Sequence, residues 1–435
     1  MKLALDKARG RHVLAAFSGG ADSVALLHIL CRARDEGILS VTAAHFEHGI
    51  RGKDSLDDAD FCRELCRKLD VQFILGRAPV PEIARRTGEG LETCARRLRH
   101  GFLNETADIL GADLIALAHH MDDQAETVLM HLLRGAGPEG ITGMREVSGR
   151  LFRPLINVRK AELVAYLEKL GETWREDATN MITDNPRNHL RLEAIPAMER
   201  AYPGAVSAIA RYASSAALES GFMDQLTDEF LEERVEKLPI GWRVDTSGEC
   251  PEALLRRALR RLLGRDLDSQ GLDALIGLET ACDVFGGISA RRAGDNLYII
   301  LPWERPRAEL FKPEGVTSLA DICRLTSEKW ENVPEKKLKS TQVLDRKSLE
   351  GAVLRTRAEG DRIAPLGMKG TKSLSDYFTD LKVDRPLRDM VPLLARGSDV
   401  LWAVGHGISR DCALKDGGDA VRIVCEYIGW GGFKP

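Results

Sequence analysis

With 435 residues, 44% hydrophobic and 29% charged, the chain holds material for two or three packed domains of about 150 residues each. A formal charge of −4 excludes a uniformly basic polyanion binder, so any nucleic acid must be held by local patches. No apolar run approaches the ~20 residues that cross a bilayer, Met1–Lys7 has no secretory hydrophobic region, and nine scattered cysteines without a CxxC pair read as reduced cytoplasmic thiols rather than a zinc ribbon.

The first predicted strand, His12–Phe17, runs into Ser18-Gly19-Gly20-Ala21-Asp22-Ser23, and Ser23–Leu30 then carries helical apolar spacing. Glycines let the backbone turn sharply and bring its N–H groups close to an anion. The helix start that follows adds unpaired donors and a favourable dipole, which makes a phosphate site. Ser18 and Ser23 can donate hydroxyl hydrogen bonds, and Asp22 can cap the helix or hold magnesium against phosphate. The commoner nucleotide loop, GxxxxGK[ST], occurs nowhere.

Further strands are predicted at Leu39–Phe46, Val71–Leu75 and Asp113–Ala118, with helices over 57–69, 89–110 and Asp122–Arg134 between and after them. This alternation predicts an α/β fold with a doubly wound parallel sheet. Ligands of such sheets lie at the carboxyl ends of strands, where Ser18, His45 and His119 all emerge.

His119-His120 turn the corner from the fourth strand into a helix that opens with Asp122 and Asp123. Carboxylates in a first turn stabilise the positive helix end, which by itself is a structural role. Asp123 and Glu126 are three apart and share a face aimed at the strand ends, so they can also activate an amine or orient a metal. His119 reads as a satisfied core histidine rather than a metal ligand. Gly135–Gly140 matches GxGxxG formally, but it follows a helix instead of a strand and is expected to be a flexible loop. Arg96, Arg97 and Arg99 lie on the 89–110 helix, Arg153 follows a short strand, and Arg187 and Arg191 are one turn apart on a short basic helix. A guanidinium binds phosphate with two parallel hydrogen bonds.

The expected organisation is a catalytic domain over 1–200, a helical connector over 201–235, a middle domain over 236–333 and a small α+β domain over 334–435. The middle domain carries predicted helices at Pro251–Leu263 and 268–279 and a strand at Asn296–Leu301. The last domain has strands at Val353–Arg357 and Leu401–Val404 around a helix at Leu374–Leu381. Two basic clusters stand out: Arg256, Arg257, Arg260, Arg261 and Arg265 on one helix, and Arg355, Arg357, Arg362, Lys369 and Lys372 nearer the end. A solvated face is the default reading of each.

Taken together, SGGADS, HFEHGIRG (His45–Gly52), ETCARRLRHGF (Glu92–Phe102), AHHMDDQAET, RPLINVRKAEL (Arg153–Leu163), WREDATN (Trp174–Asn180) and NPRNHLR (Asn185–Arg191) resemble the tRNA(Ile)-lysidine synthase family, of the PP-loop ATP pyrophosphatases. Arg355–Asp389 and Gly405–Ser409 are similar to that family's terminal domain. The resemblance implies ATP-dependent adenylation of the wobble cytidine of a CAU-anticodon isoleucine tRNA, then attack by the ε-amine of L-lysine. It implies that Ser18, Gly19, Gly20, Ala21, Asp22, Ser23 and His45 bind ATP and that Asp22 holds Mg2+. Asp123 and Glu126 would handle the lysine amine, and Arg99 and Arg191 would face ATP phosphates and the cytidine. Arg187, Arg256, Arg260, Arg362, Lys369 and Lys372 would contact tRNA; a homodimer is compatible with the pattern, a membrane partner is not. Phe46-Glu47 stand where the family usually has Val-Asn, His100 replaces a usual Tyr, and Cys94 replaces a small residue. The alternatives are a tRNA 2-thiolation enzyme, disfavoured by the missing CxxC, and a non-catalytic RNA-binding adaptor.

Overall fold

A computed structural model describes residues 3–50, 52–175, 186–264, 267–284, 286–330, 340–414 and 419–428. The chain divides into two compact units, Met1–Phe222 and Met223–Pro435.

The first unit is built on β1 (His12–Ala16), α1 (Ala21–Asp35), β2 (Ser40–Glu47), α2 (Lys53–Lys68) and β3 (Gln72–Arg77). It continues with α3 (Val80–Thr87), α4 (Leu91–Leu110), β4 (Leu114–Ala116), α5 (Met121–Leu133), β5 (Val147–Ser148), β6 (Leu151–Phe152) and α6 (Lys160–Leu170). The sheet order is β3-β2-β1-β4-β6-β5, parallel except for the β5–β6 hairpin. This is the doubly wound sheet expected from the sequence.

Both faces of β1 are covered, which is why it reads as an unbroken apolar run. Val13 and Ala15 pack into one cluster with Leu26, Leu27 and Leu30 of α1, Cys62 and Leu65 of α2 and Leu163 of α6. Leu14, on the opposite face, joins Leu103 and Ala107 of α4. Truncating such a fully buried leucine to alanine costs about 2–5 kcal/mol.

After the undescribed residues 176–185 come α7 (Pro186–His189), a π-helical turn (Leu190–Ala194), α8 (Ile195–Ala201) and α9 (Ala205–Arg234). The sequence analysis did not predict α3 or α6, and of the β5–β6 hairpin it expected only the short strand before Arg153. Each strand of that hairpin is two residues long, too short for any period to register. α3 did carry signals, Pro81 in its first turn and a left-handed Gly88 after it.

The second unit contains a five-stranded antiparallel sheet (235–238, 241–245, 296–300, 289–293 and 281–283). Helices Glu252–Leu263 and Ser269–Ile276 share its core through Leu255, Leu259, Leu272, Leu275 and Leu297. A seven-stranded and a four-stranded sheet follow. Strand Ala420–Tyr427 pairs with both Cys323–Lys329 and Thr341–Asp345, so one sheet takes strands from either side of residue 334. The boundary expected at 333/334 itself lies outside the described residues. The buried Tyr298 hydroxyl donates to Asp384, and its ring lies in the same core as Phe378 and Trp402. No helix among the described residues is long and apolar enough to cross a membrane.

Candidate active site

The turn between β1 and α1 is held open by its own backbone and two serines. Gly19 has φ +86°, and a Cβ there would lie 3.1 Å from Cys62 Sγ, so glycine is required for both conformation and space. Ser23 Oγ donates to the Gly20 carbonyl (2.9 Å) and receives the Ser18 N–H (3.2 Å) and the Ser18 hydroxyl (3.1 Å). Ser23 therefore shapes the loop, while Ser18 stays exposed to a ligand. Gly20 caps α1 without a side chain, leaving the first-turn N–H groups of Ala21 and Asp22 for an incoming anion.

Neighbouring segments brace this turn. Buried His45 donates Nδ1–H to the Phe17 carbonyl (2.8 Å), and burial lowers its pKa, keeping the ring neutral. Arg175 donates its backbone N–H to the Gly19 carbonyl (2.9 Å) and pairs through Nε with Asp58 (2.7 Å). Glu47, at the end of β2, accepts the Gly49 N–H (2.6 Å), so this departure from the family pattern caps a turn. Asn180 and Asn185 of the family motifs lie outside the described residues, as do their neighbours between them.

His120 caps α5. Its Nδ1 accepts the Asp123 N–H (3.3 Å) and its own N–H donates to Asp123 Oδ2 (3.1 Å), a reciprocal capping box. The Nε2 edge faces Asp22 Oδ2 at 3.5 Å and Asp123 Oδ2 at 3.4 Å. Burial pulls the pKa of His120 down, but the Asp22 contact and the charges of Asp123, Asp22 and Asp122 outweigh it and raise the pKa. For Asp22, burial pushes up, yet the His120 contact and charge, with Lys160 and Arg191, hold its carboxyl below the ordinary value. Asp122 turns away to Arg159 (3.1 Å) and the Lys160 N–H (2.8 Å).

Glu126 is 1% exposed, and such a carboxylate must be paired. Arg191 grips it with Nε (2.6 Å) and Nη2 (2.9 Å), and Arg187 adds Nε (2.8 Å). The same two arginines reach Asp123 Oδ1, at 3.0 Å from Arg191 and 3.5 Å from Arg187. Burial lowers the pKa of Arg191, but Glu126, Asp123 and Asp22 raise it overall. Arg191 sits in the π-helical turn, a distortion often found at functional sites. Arg187, expected at a tRNA surface, thus stands beside the two carboxylates.

A second, cationic side of the cleft surrounds His119. Arg153 Nε donates to His119 Nδ1 (3.3 Å) while its Nη1 holds the Arg145 carbonyl (2.8 Å). Burial, Arg153, Arg187 and Arg99 bring His119 down to about 4 against the pull of Asp123, so it is a neutral acceptor. Arg99 keeps substantial exposed area, but desolvation first and Arg96 second lower its pKa. No carboxylate partner of Arg99 stands among the described residues, which leaves this side ready for an anion.

The donor set at Asp22 fits a magnesium ion. Asp22 Oδ1 is buried and has no hydrogen-bond partner among the described residues. No group of three or more His, Cys, Asp or Glu suited to a metal exists among the described residues. One carboxylate beside a phosphate loop suits a cation that arrives with nucleotide phosphates.

The remaining expected tRNA contacts differ in how free they are. Arg256 is bound to Glu252 (2.7 Å) and Asp273. Arg362 donates to Thr371 (2.8 Å), and Lys372 pairs with Asp380. Arg260 and Lys369 have no carboxylate partner among the described residues. Arg265 lies outside them. All nine cysteines are free, and burial pushes Cys31 up to about 11 and Cys66 up to about 12, which makes them poor nucleophiles.

Sequence reasoning assigned no role to His120 or the Arg175–Asp58 brace, and left Arg153 as one arginine among several. The histidine doublet at a strand end was the available signal for the first. Arg175 and Asp58 are 117 residues apart, and no local pattern joins them.

Residues 1–198 match the PP-loop domain, and residues 352–425 match the TilS substrate C-terminal domain. A tRNA(Ile)-lysidine synthase of Caldanaerobacter subterraneus subsp. tengcongensis is 30% identical, with 95% of this chain and 93% of that protein covered. One from Geobacter sulfurreducens is 33% identical over 95% of this chain and 93% of its own length. A crystal structure of a TILS C-terminal domain is 25% identical, covering 28% of this chain and 96% of that one, with a TM-score of 0.25. A nucleotide-binding turn, a paired-carboxylate helix and similarity along nearly the whole length agree: the chain belongs to the tRNA(Ile)-lysidine synthase family.

Proposed function

We propose that this protein ligates L-lysine to C2 of the wobble cytidine of CAU-anticodon isoleucine tRNA, using ATP and releasing AMP and pyrophosphate. One observation carries the reading: the phosphate-binding turn with Asp22 and the buried pair Asp123/Glu126 meet at His120 in one cleft.

The phosphates of ATP would lie against Ser18, the Gly19–Gly20 backbone and the first N–H groups of α1. The cytidine O2 attacks the α-phosphorus there, and the α–β bond breaks to release pyrophosphate. Magnesium, held by Asp22 with the phosphates, would neutralise charge on them. The lysine ε-amine then attacks C2, and AMP leaves with the oxygen. That amine is cationic in water and must lose a proton first. Asp123 and Glu126 are the acceptors in reach, with Arg187 and Arg191 holding both in place. Arg99 and Arg153 would balance the negative charge of phosphates arriving on the cationic side. Reading a flipped cytidine needs an unpaired loop, which an anticodon supplies. Arg260, Arg362, Lys369 and Lys372 would hold tRNA phosphates and set position rather than sequence. The site would work in the cytoplasm; a homodimer is compatible with this reading.

The test is incorporation of radiolabelled lysine into CAU-anticodon isoleucine tRNA. Labelling that needs ATP, and disappears when the wobble cytidine is changed, is the expected result. ATP cleaved to AMP with tRNA but without lysine transfer would assign a different nucleophile and overturn the proposal.

A further inference from the structure

We infer that His120 is a positioning residue that couples nucleotide binding at Asp22 to lysine binding at Asp123, an inference that rests on the reading of these two carboxylates given above. His120 is 2% exposed and touches both. Its two ring nitrogens have separate duties. Nδ1 accepts the Asp123 N–H and caps α5. Nε2 carries a proton whether the ring is neutral or charged, because Nδ1 is the acceptor of the capping bond. Nε2 lies 3.5 Å from Asp22 Oδ2 and 3.4 Å from Asp123 Oδ2, so both carboxylates stand within reach of its proton.

Asp22 retains an acceptor, Oδ1, that no group among the described residues satisfies. When nucleotide with its cation engages Asp22, that carboxylate no longer competes for the Nε2 proton. The proton then falls to Asp123 Oδ2, which already receives the His120 N–H. Asp123 is thereby locked, with Oδ1 left to Arg191, Arg187 and the incoming amine. An acceptor oriented in advance costs less entropy on binding, so lysine binds more tightly to the nucleotide-loaded protein. Linkage requires the reciprocal effect, that lysine tightens nucleotide by the same factor. This coupling is useful chemically, because the amine is best held when an activated base is about to form.

Two substitutions separate the duties of the ring. His120→Asn places an amide oxygen near Nδ1, keeping an N-cap acceptor, but cannot reach Asp22. His120→Gln places an amide N–H near Nε2, keeping the bridge at the expense of the cap. The measurement is calorimetric affinity for L-lysine on the full chain, with and without saturating Mg2+ and α,β-methylene ATP, and without tRNA so that no reaction occurs. In the parent the analogue tightens lysine binding roughly fivefold or more. In His120→Asn the ratio falls toward one while the melting temperature holds; in His120→Gln the ratio persists while the melting temperature drops. A merely structural role predicts the same melting temperatures, since they follow the cap, but no coupling to lose in either variant. Independent or antagonistic binding in the parent, or coupling that survives in His120→Asn, overturns the inference. Absence of any lysine or nucleotide binding by the parent would instead remove the functional reading beneath it, and the inference with it.

Discussion

Arginine–carboxylate pairs occur in both units, and their settings differ in partner and in depth. On the helix Glu252–Leu263, Arg256 pairs with Glu252 one turn away and with Asp273 on the next helix, and Arg261 pairs with Asp224 and Asp228 of α9. These carboxylates are well exposed, and such pairs contribute about 0–1 kcal/mol. In the cleft, Glu126 is buried and its two arginines come from 61 and 65 residues away. Removing one arginine from that network leaves the buried carboxylate with a single cationic partner, at a cost of up to about 3–5 kcal/mol. The same chemical pair is therefore a surface contact on the helix Glu252–Leu263 and a buried network around Glu126, and water is what separates them.

The largest expected effect tests the cleft itself. Asp22→Ala should lower tRNA-dependent AMP formation by roughly 10²–10³-fold, the scale of losing one charge-stabilising group. Asp123→Asn should leave ATP affinity close to the parent and reduce lysine transfer by roughly 100-fold, as expected for a lost base. Rapid-quench assays of AMP and of lysine incorporation separate the two; equal loss of both activities in Asp123→Asn would contradict the division of labour.

Next comes stability, where the two settings confront each other directly. Arg191→Leu should lower the melting temperature of the first unit by up to about 6–20 °C, from the buried-pair penalty spread over ~200 residues. Arg256→Leu should move the second unit by less than about 3 °C. Differential scanning calorimetry checks both, and comparable shifts would erase the contrast drawn here.

A smaller effect concerns RNA. Arg260→Ala or Lys369→Ala should each reduce the slope of log affinity against log salt by about 0.7–0.9, one released counterion per contact. Arg256→Ala should change it less, because its charge is already shared with Glu252 and Asp273. Filter binding of tRNA across a salt series gives these slopes, and a larger change for Arg256→Ala would reverse the assignment.

The smallest effect is one of pH. His119 takes a proton in the native state only near about 4, whereas an unfolded imidazole takes it near 6.5. Between these values the unfolded chain binds more protons, so this residue's share of stability falls as pH drops through that window. His119→Gln should shrink the difference in melting temperature between pH 7 and pH 5. An unchanged difference would mean that His119 is protonated in the cleft after all.

Much of this architecture was readable before any coordinates. Glycine at a positive φ, serines that tie a turn and an apolar strand before it are local features, and residues 12–30 contain all of them. Asp123 and Glu126 declared themselves because a spacing of three places them on one helical face. Arg187 shows where that reasoning stops. Nothing in a basic residue on a short helix announces that Glu126 lies 2.8 Å away. The α3 and α6 segments also went unpredicted, although α6 brings Lys160, whose charge acts on Asp22.

By itself the sequence determined the phosphate-binding turn, the alternation of strands and helices, the paired carboxylates and the family they resemble, because each depends on neighbours within a few residues. Only the tertiary structure decided which arginine meets which carboxylate, that His120 faces Asp22 and Asp123 together, and that strands on both sides of residue 334 form one sheet. Apart from the local His120–Asp123 contact, those pairings join residues tens to about a hundred positions apart, and only burial and chain crossing bring them together.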